Sequence, residues 1–256
     1  PKIARKPKDD YDPVPAMGAP TPPSLTKLED LTADRFDRRH SLLGQLDQQL
    51  TTTEASGAIE RLSEFKQQAF TLLSSTKTRA AFDISQESDQ VRDRFGRNLW
   101  GSSMLIARRL VEAGSTFVTV HWESEGKNHW DLHANNFGML KTHCPQLDQL
   151  TAALVLDLEE RGLLDETLVV IMGEMGRTPQ FINRGNPDGR DHWSYCFPAL
   201  LAGAGIQNGL LYGQSDRHAA YPLEHPVSPE DLSATIFDAL GIDPHQPLLD
   251  KRGQPV

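Results

Sequence analysis

An alternation of amphipathic helices and short apolar runs over residues 98–241 most constrains the fold of this chain. Residues 98–113 and 135–161 place apolar side chains at helical spacing. Three apolar runs have the length of buried strands: 117–122, 167–172 and 197–201. Parallel strands joined by helices are covered on both faces. The alternation therefore predicts an α/β fold with a mostly parallel sheet flanked by helices.

Capping signals mark the ends of the predicted helices. Gly114 and Gly162 follow the first two helices, where glycine commonly ends a helix. Ser228 with a proline at the next position predicts the start of a last helix that ends at Gly241. Pro145 lies inside the second helix, and we expect it to bend or split that helix.

The first 95 residues differ from the rest of the chain. Residues 1–33 are rich in proline and poor in apolar residues, which predicts an arm or linker. Residues 34–95 carry apolar stripes at helical spacing and predict a helical N-terminal segment. Residues 96–256 would form the α/β core, as one incomplete domain together with the helical segment.

Composition excludes some partners. The 256 residues carry a net charge of -9, which argues against nucleic acid as a partner. The sequence has no apolar run of the ~18 residues that a transmembrane helix requires. Cys144 and Cys196 have no zinc-finger or disulfide-framework spacing, so we interpret them as independent thiols.

Asp131 and His133 are the first candidate metal ligands. They are two residues apart in a predicted loop, and an extended loop can direct both side chains to one cation. Alternatively, Asp131 caps the helix that begins near Ala134, and His133 is merely solvated.

Glu174 and Arg177 follow the second apolar run. A carboxylate in that position is costly unless it is paired or bound to a metal. Arg177 offers the donors that suit a phosphate or sulfate group, which makes it a candidate catalytic residue. An ion pair between these two side chains, locking the turn, is the alternative.

Arg190, Asp191 and His192 form the densest polar patch. His192 is a candidate metal ligand, and Asp191 is either a second ligand or an acceptor behind the histidine. Arg190 is a second candidate clamp for an anion.

Three segments that contain these residues resemble a bacterial family, the domain of unknown function 1501. Residues 130–137 are similar to its Trp-Asp-Thr-His-Gly-Asn-Asn-Phe segment, and residues 173–179 to its Gly-Glu-Phe-Gly-Arg-Thr-Pro turn. Residues 189–193 match its Gly-Arg-Asp-His-Trp block. The similarity covers residues 34–256.

The family in turn resembles a branch of the alkaline phosphatase and sulfatase superfamily. The resemblance implies an alkaline phosphatase-like fold, a two-metal site at the ends of parallel strands, and an extracytoplasmic location. Asp131 and His133 would fill the first ligand position, Glu174 the second and His192 the third. The metal would be Zn, Ca, Mg or Mn. The first spacing is shorter than usual, and Gly173-Glu174 stands where Asp-His is common.

The leading hypothesis is a metal-dependent hydrolase of sulfate or phosphate esters, acting on a small-molecule or glycan ester. The superfamily's N-terminal strand, with its metal-binding Asp and nearby nucleophile, has no counterpart before residue 34. By this resemblance we expect the C-terminal part of a longer protein, inactive or incomplete alone. A non-catalytic binding protein for sulfated or phosphorylated glycans and a structural remnant are the alternatives. Oligomeric state stays open.

Overall fold

The computed structural model describes residues 2–3, 16–17, 38, 41, 76–122, 130–182, 188–247, 250 and 254–255. The predicted arm and the helical stripes up to residue 75 lie almost entirely outside the described residues. Two compact units divide between residues 118 and 119, and residues 94–96 belong to the second unit.

The described part of the first unit contains short helical segments and a short strand pair. Strand β1 (Lys2–Ile3) pairs antiparallel with β2 (Ala16–Met17). The helical segments are α1 (Thr76–Phe82), a 3-10 turn (Ile84–Gln86), α2 (Asp89–Arg94) and α3 (Leu99–Glu112). The three α-helices lie within the ranges that the sequence predicts. The Asn98 side chain accepts a hydrogen bond from the backbone N–H of Gly101 and so caps α3.

A buried ion-pair network holds α3 in the first unit. Arg108 is almost fully buried, and its Nη2 lies 2.7 Å from Oε1 of Glu87. Arg109 also donates to Glu87 and to the backbone oxygens of Ala80 and Ala81. Burial of a charge is costly unless it is paired. The shared carboxylate of Glu87 therefore compensates two guanidinium groups in this core.

The longest element of the second unit is α4 (Asn136–Glu160). It confirms the predicted helix over residues 135–161. Pro145 lies inside this helix, so the proline does not split it in two. Its buried apolar side chains recur at helical spacing: Met139, Leu150, Ala153, Leu154 and Leu158. A 3-10 turn (Leu164–Glu166) follows and leads into the strands.

The described strands of the second unit form two-stranded antiparallel sheets. Strand β3 (Val169–Met172) pairs with β6 (Ala199–Ala202), with Val169 opposite Ala202. Strand β4 (Gly176–Arg177) pairs with β5 (His192–Trp193), and β7 (Gln214–Ser215) with β8 (Pro222–Glu224).

The mostly parallel sheet that the sequence predicts is not what the described strands form. A parallel pair needs a crossover connection, usually a helix. Between β3 and β6 the described residues form the β4–β5 pair and no helix, so the chain returns antiparallel. The predicted strand over residues 117–122 is also wrong, because these residues lie in no strand. Apolar character alone therefore predicts a larger sheet than the described strands form.

The last helix, α5 (Pro229–Ala239), begins and ends as the sequence predicts. Ser228 and Asp231 form a reciprocal capping box, and the proline occupies the first turn. Gly241 follows the helix with a φ of 72°, a left-handed conformation that favours glycine. Among the described helices, none combines the length and apolar character that crossing a bilayer requires.

Candidate metal centre

The β4–β5 pair brings two predicted site residues together. Arg177 lies directly opposite His192 in the register, and directly opposed residues share one face of a sheet. The neighbouring pair is Gly176 and Trp193. A Cβ atom on Gly176 would lie 2.9 Å from the backbone oxygen of Trp193, closer than real Cβ contacts allow. Glycine at this position therefore permits the close pairing that positions Arg177 and His192.

Asp131 is the centre of the site. Its Oδ1 lies 2.7 Å from Nε2 of His192 and 3.1 Å from Nε2 of His133. Arg177 donates to the same oxygen through Nη1. The two imidazole rings lie with centroids 5.1 Å apart. Segments that are far apart in the sequence thus converge on one carboxylate oxygen.

Asp131, His133 and His192 fit the donor set of a divalent cation. One ligand atom from each lies within 4.8 Å of the others. Two ligands of one tetrahedral zinc, at bond lengths near 2.0–2.1 Å, lie about 3.3 Å apart. The 2.7 and 3.1 Å spacings around Asp131 would widen by about 0.6 and 0.2 Å to reach this value. These three residues form the candidate metal triad.

The charges around Asp131 favour its ionised form. Burial raises the pKa of the Asp131 carboxyl, but hydrogen bonds from His192 and Arg177 and the Arg177 charge outweigh this effect. The pKa therefore lies below its ordinary value. An ionised carboxylate is the form that binds a metal ion.

Asp191 lies behind His133 and outside the candidate metal triad. Its Oδ1 is 2.6 Å from Nδ1 of His133. An acceptor at Nδ1 keeps the proton on that nitrogen and leaves the Nε2 lone pair for a metal. Thr178 fixes Asp191 in turn: its hydroxyl oxygen accepts from the Asp191 N–H at 3.1 Å, and its own N–H donates to the Asp191 backbone oxygen at 2.8 Å. Of the two roles predicted for Asp191, this geometry matches the acceptor.

The loop that carries Asp191 packs tightly on the backbone of His133. The N–H of Arg190 donates to the backbone oxygen of Leu132 at 3.3 Å. A Cβ atom on Gly189 would lie 2.6 Å from the carbonyl carbon of His133. Only glycine fits this approach without moving backbone. The loop therefore fixes the position of the segment between Asp131 and His133.

Arg177 is engaged by the segment that carries Asp131. Besides its bond to the carboxylate, its Nη2 donates to the backbone oxygen of Trp130 at 3.2 Å. The alternative ion pair with Glu174 is not formed among the described residues. Glu174 is exposed and lies outside the candidate metal triad. Its metal role stays a prediction.

Arg190 contacts an aromatic side chain. Its guanidinium carbon lies 4.6 Å from the ring centroid of Phe181, over the ring, within the range of a cation–π interaction. The ring of Phe137 lies 5.4 Å from that of Phe181. The predicted clamp is thus anchored by its side chain on Phe181 and by its backbone on Leu132.

The alternative in which Asp131 caps the following helix is wrong. Asn135 occupies the N-cap position of α4 with a φ of 49° and makes no side-chain capping bond. The Asp188 carboxylate supplies the acceptor instead, at 3.0 Å from the N–H of Phe137. Nor is His133 merely solvated, because both of its ring nitrogens face carboxylates.

Two supporting groups were missed from the sequence. Thr178 carries no catalytic motif of its own, and the sequence indicates it only as part of the 173–179 segment. His143 is fully buried in α4, with its ring centroid 5.1 Å from that of Trp130. It therefore packs against the residue whose backbone oxygen accepts from Arg177. Its spacing within the apolar stripe of α4 was the only available signal.

Fold and site together define a class: a chain of helices and small antiparallel sheets that carries an aspartate and two histidines placed like metal ligands. Residues 8–256 match the family model described as "Protein of unknown function (DUF1501)". The chain belongs to this family. Comparisons with curated proteins and with solved structures gave no match.

Proposed function

We propose that this chain binds a divalent cation at the candidate metal triad and hydrolyses sulfate or phosphate esters. The observation that carries the proposal is the convergence of Asp131, His133 and His192, with Asp191 behind His133. Two imidazole nitrogens and a carboxylate oxygen are donors that transition metals bind. An acceptor behind a ligating histidine is the usual arrangement in metal sites.

The donor set favours zinc over calcium or magnesium. Two imidazoles and one carboxylate suit Zn²⁺ and related transition metals, whereas Ca²⁺ and Mg²⁺ are bound by oxygen ligands. Three protein ligands are the usual number in catalytic zinc sites, which keep one position open. Glu174 would supply a further oxygen ligand only after a rearrangement of its exposed side chain.

The chemistry divides between the metal and the protein side chains. A divalent cation would polarise an ester oxygen and stabilise the negative charge that develops in the transition state. Asp191 would keep the Nε2 atom of His133 in its ligating form, and Arg177 would hold the Asp131 carboxylate in place. Both contacts fix the ligands before substrate arrives, which reduces the reorganisation that catalysis must pay for.

The superfamily and the location belong to the same proposal. The order of the motifs, with an Asp and a His before β3 and a further His before β6, supports membership of the alkaline phosphatase and sulfatase superfamily. We propose an extracytoplasmic location on the same resemblance.

Metal binding is the first test. The chain, stripped with a chelator, is titrated with Zn²⁺, Mn²⁺, Mg²⁺ and Ca²⁺ by calorimetry. We expect one strong site that prefers Zn²⁺ and is lost in His192→Ala. His218→Ala is the matched control, because His218 is exposed and contacts Arg217 outside the site. Failure of the wild-type chain to bind any of these ions would refute the proposal.

Ester turnover is the second test. Aryl sulfate and aryl phosphate are compared with the zinc-loaded chain and with His192→Ala. Turnover of either ester that disappears in the variant supports hydrolysis and identifies the substrate class. Zinc binding without turnover of either ester favours the non-catalytic binding protein. One contact fits that second function: the Thr178 hydroxyl donates to the backbone oxygen of Gln180 and accepts from Asp191, so it is not a free nucleophile.

A further inference from the structure

The two arginines of the site differ in what they already bind. Arg177 uses both terminal nitrogens, one on the Asp131 carboxylate and one on the backbone oxygen of Trp130. The guanidinium group of Arg190 has no hydrogen-bond or ion-pair partner among the residues that the structure describes. Its Nε atom is buried without an acceptor there.

The acidic residues beside Arg190 in the sequence are engaged elsewhere. Oδ1 of Asp191 faces His133, and Oδ2 of Asp188 accepts from the N–H of Phe137 in α4. A half-buried guanidinium group next to two carboxylates would ordinarily pair with one of them. Here the carboxylates are bound to other groups, which leaves the positive charge of Arg190 uncompensated within the described part of the chain.

The contact with Phe181 leaves the N–H donors of the Arg190 guanidinium group available for oxygen acceptors. A cation over an aromatic face is attracted by the ring quadrupole and keeps donors for an acceptor. The backbone N–H of Arg190 is bound to the oxygen of Leu132, which lies between the two ligands Asp131 and His133. The residue is therefore anchored at its backbone beside the candidate metal triad and at its side chain on a ring.

We propose that Arg190 binds the sulfate or phosphate group of the ester, whereas Arg177 is a positioning residue for Asp131. Arginine matches a tetrahedral oxyanion with two parallel N–H donors, which lysine cannot reproduce. The assignment rests on the proposed function for its substrate. Binding of an inorganic oxyanion, however, is measurable without any turnover.

The probe is inorganic phosphate, titrated by calorimetry into the chain with chelator and into the zinc-loaded chain. We expect Arg190→Gln to weaken phosphate binding by about tenfold or more, as expected for loss of a charge-assisted bond. Arg190→Lys should recover only part of the affinity. Zinc affinity should stay within about twofold of wild type. Arg217→Gln is the matched control, because it makes the same charge change at an exposed position.

Several outcomes overturn the assignment. Phosphate that binds Arg190→Gln as well as wild type, or an equal loss in Arg217→Gln, excludes a specific contact. Absence of phosphate binding to wild type in both conditions does the same. Loss of zinc together with phosphate in Arg190→Gln would show that the residue supports the metal ligands. A further outcome is that the chain binds no metal and turns over no ester, yet binds phosphate in a way that depends on Arg190. That outcome refutes the proposed hydrolase and leaves the assignment of Arg190 intact.

Discussion

Gly189 offers the sharpest test of the site geometry, because any side chain there meets backbone. In Gly189→Ala the new Cβ atom would lie 2.6 Å from the carbonyl carbon of His133. The His133 carbonyl oxygen would lie closer still, and ordinary contact begins at 3.4 Å, so the two segments must separate by at least about 0.8 Å. No rotamer change relieves the clash, since the contacted atoms belong to the backbone. The separation moves His133, a predicted metal ligand.

The displacement has two measurable costs. Forcing extra volume into a packed site costs about 1–3 kcal/mol of unfolding free energy. For a chain of this size that corresponds to a fall in Tm of roughly 2–12 °C. Ligand distances in metal sites lie within about 0.2 Å of their preferred values, and a backbone shift of this size moves His133 well beyond that range, so zinc binding should weaken by about tenfold or more. Thermal unfolding by circular dichroism and calorimetric zinc titration measure the two effects.

Gly173→Ala is the matched control. The nearest atom to its new Cβ is the backbone oxygen of Met175 at 3.4 Å, an ordinary contact. This variant should keep the wild-type Tm and zinc affinity. If Gly189→Ala behaves like Gly173→Ala in both assays, the close approach of the loop to His133 is wrong. Loss of stability with unchanged zinc affinity would instead remove His133 from the metal site.

Three further predictions test other parts of the molecule. Glu87→Gln should lower the unfolding free energy by about 1–3 kcal/mol in urea titrations, because it removes the carboxylate that Arg108 and Arg109 share while Glu112 stays paired with Arg108; a change below ~0.5 kcal/mol would contradict the network. Burial raises the pKa of Asp131, but the hydrogen bonds from His192 and Arg177 lower it by more, so the net shift is downward. The ionised carboxylate should therefore stabilise the metal-free protein above its unfolded pKa of about 3.9. This stabilisation should be lost as the pH falls through the lower folded pKa. Urea unfolding between about pH 2 and 6 should show this loss in wild type and a smaller one in Asp131→Asn, and equal slopes would refute it. Asp191→Asn should weaken zinc binding about 10–100-fold while Asp165→Asn, at an exposed position, leaves it unchanged; equal affinities would exclude the acceptor role.

The helices were the predictable part of the fold. The apolar spacing of α4 and the caps of α3 and α5 are local features, written within a few residues of each element. Sheet direction is not local. The apolar composition of residues 167–172 and 197–201 fits parallel and antiparallel pairing equally well. Only the path of the chain between the two segments determines which of the two forms. The β4–β5 pair returns the chain without a helix, and the sequence pattern contains no direct sign of that path.

The sequence singled out Asp131, His133 and His192, whose ligand atoms the structure brings within 4.8 Å of one another, but it did not indicate the contacts that each side chain makes. Asp, His and Arg side chains beside apolar runs cost free energy to bury unless they are paired or bound to a metal. Such residues can therefore be recognised in the sequence as candidates for a site. Roles depend on contacts of about 3 Å between residues 46 to 61 positions apart. The sequence predicts the same role for Arg177 and Arg190, binding of an anion. It leaves two roles open for Asp191, metal ligand or hydrogen-bond acceptor. The contacts separate them: Arg177 is bound to Asp131, Asp191 faces Nδ1 of His133, and Arg190 lies over the ring of Phe181.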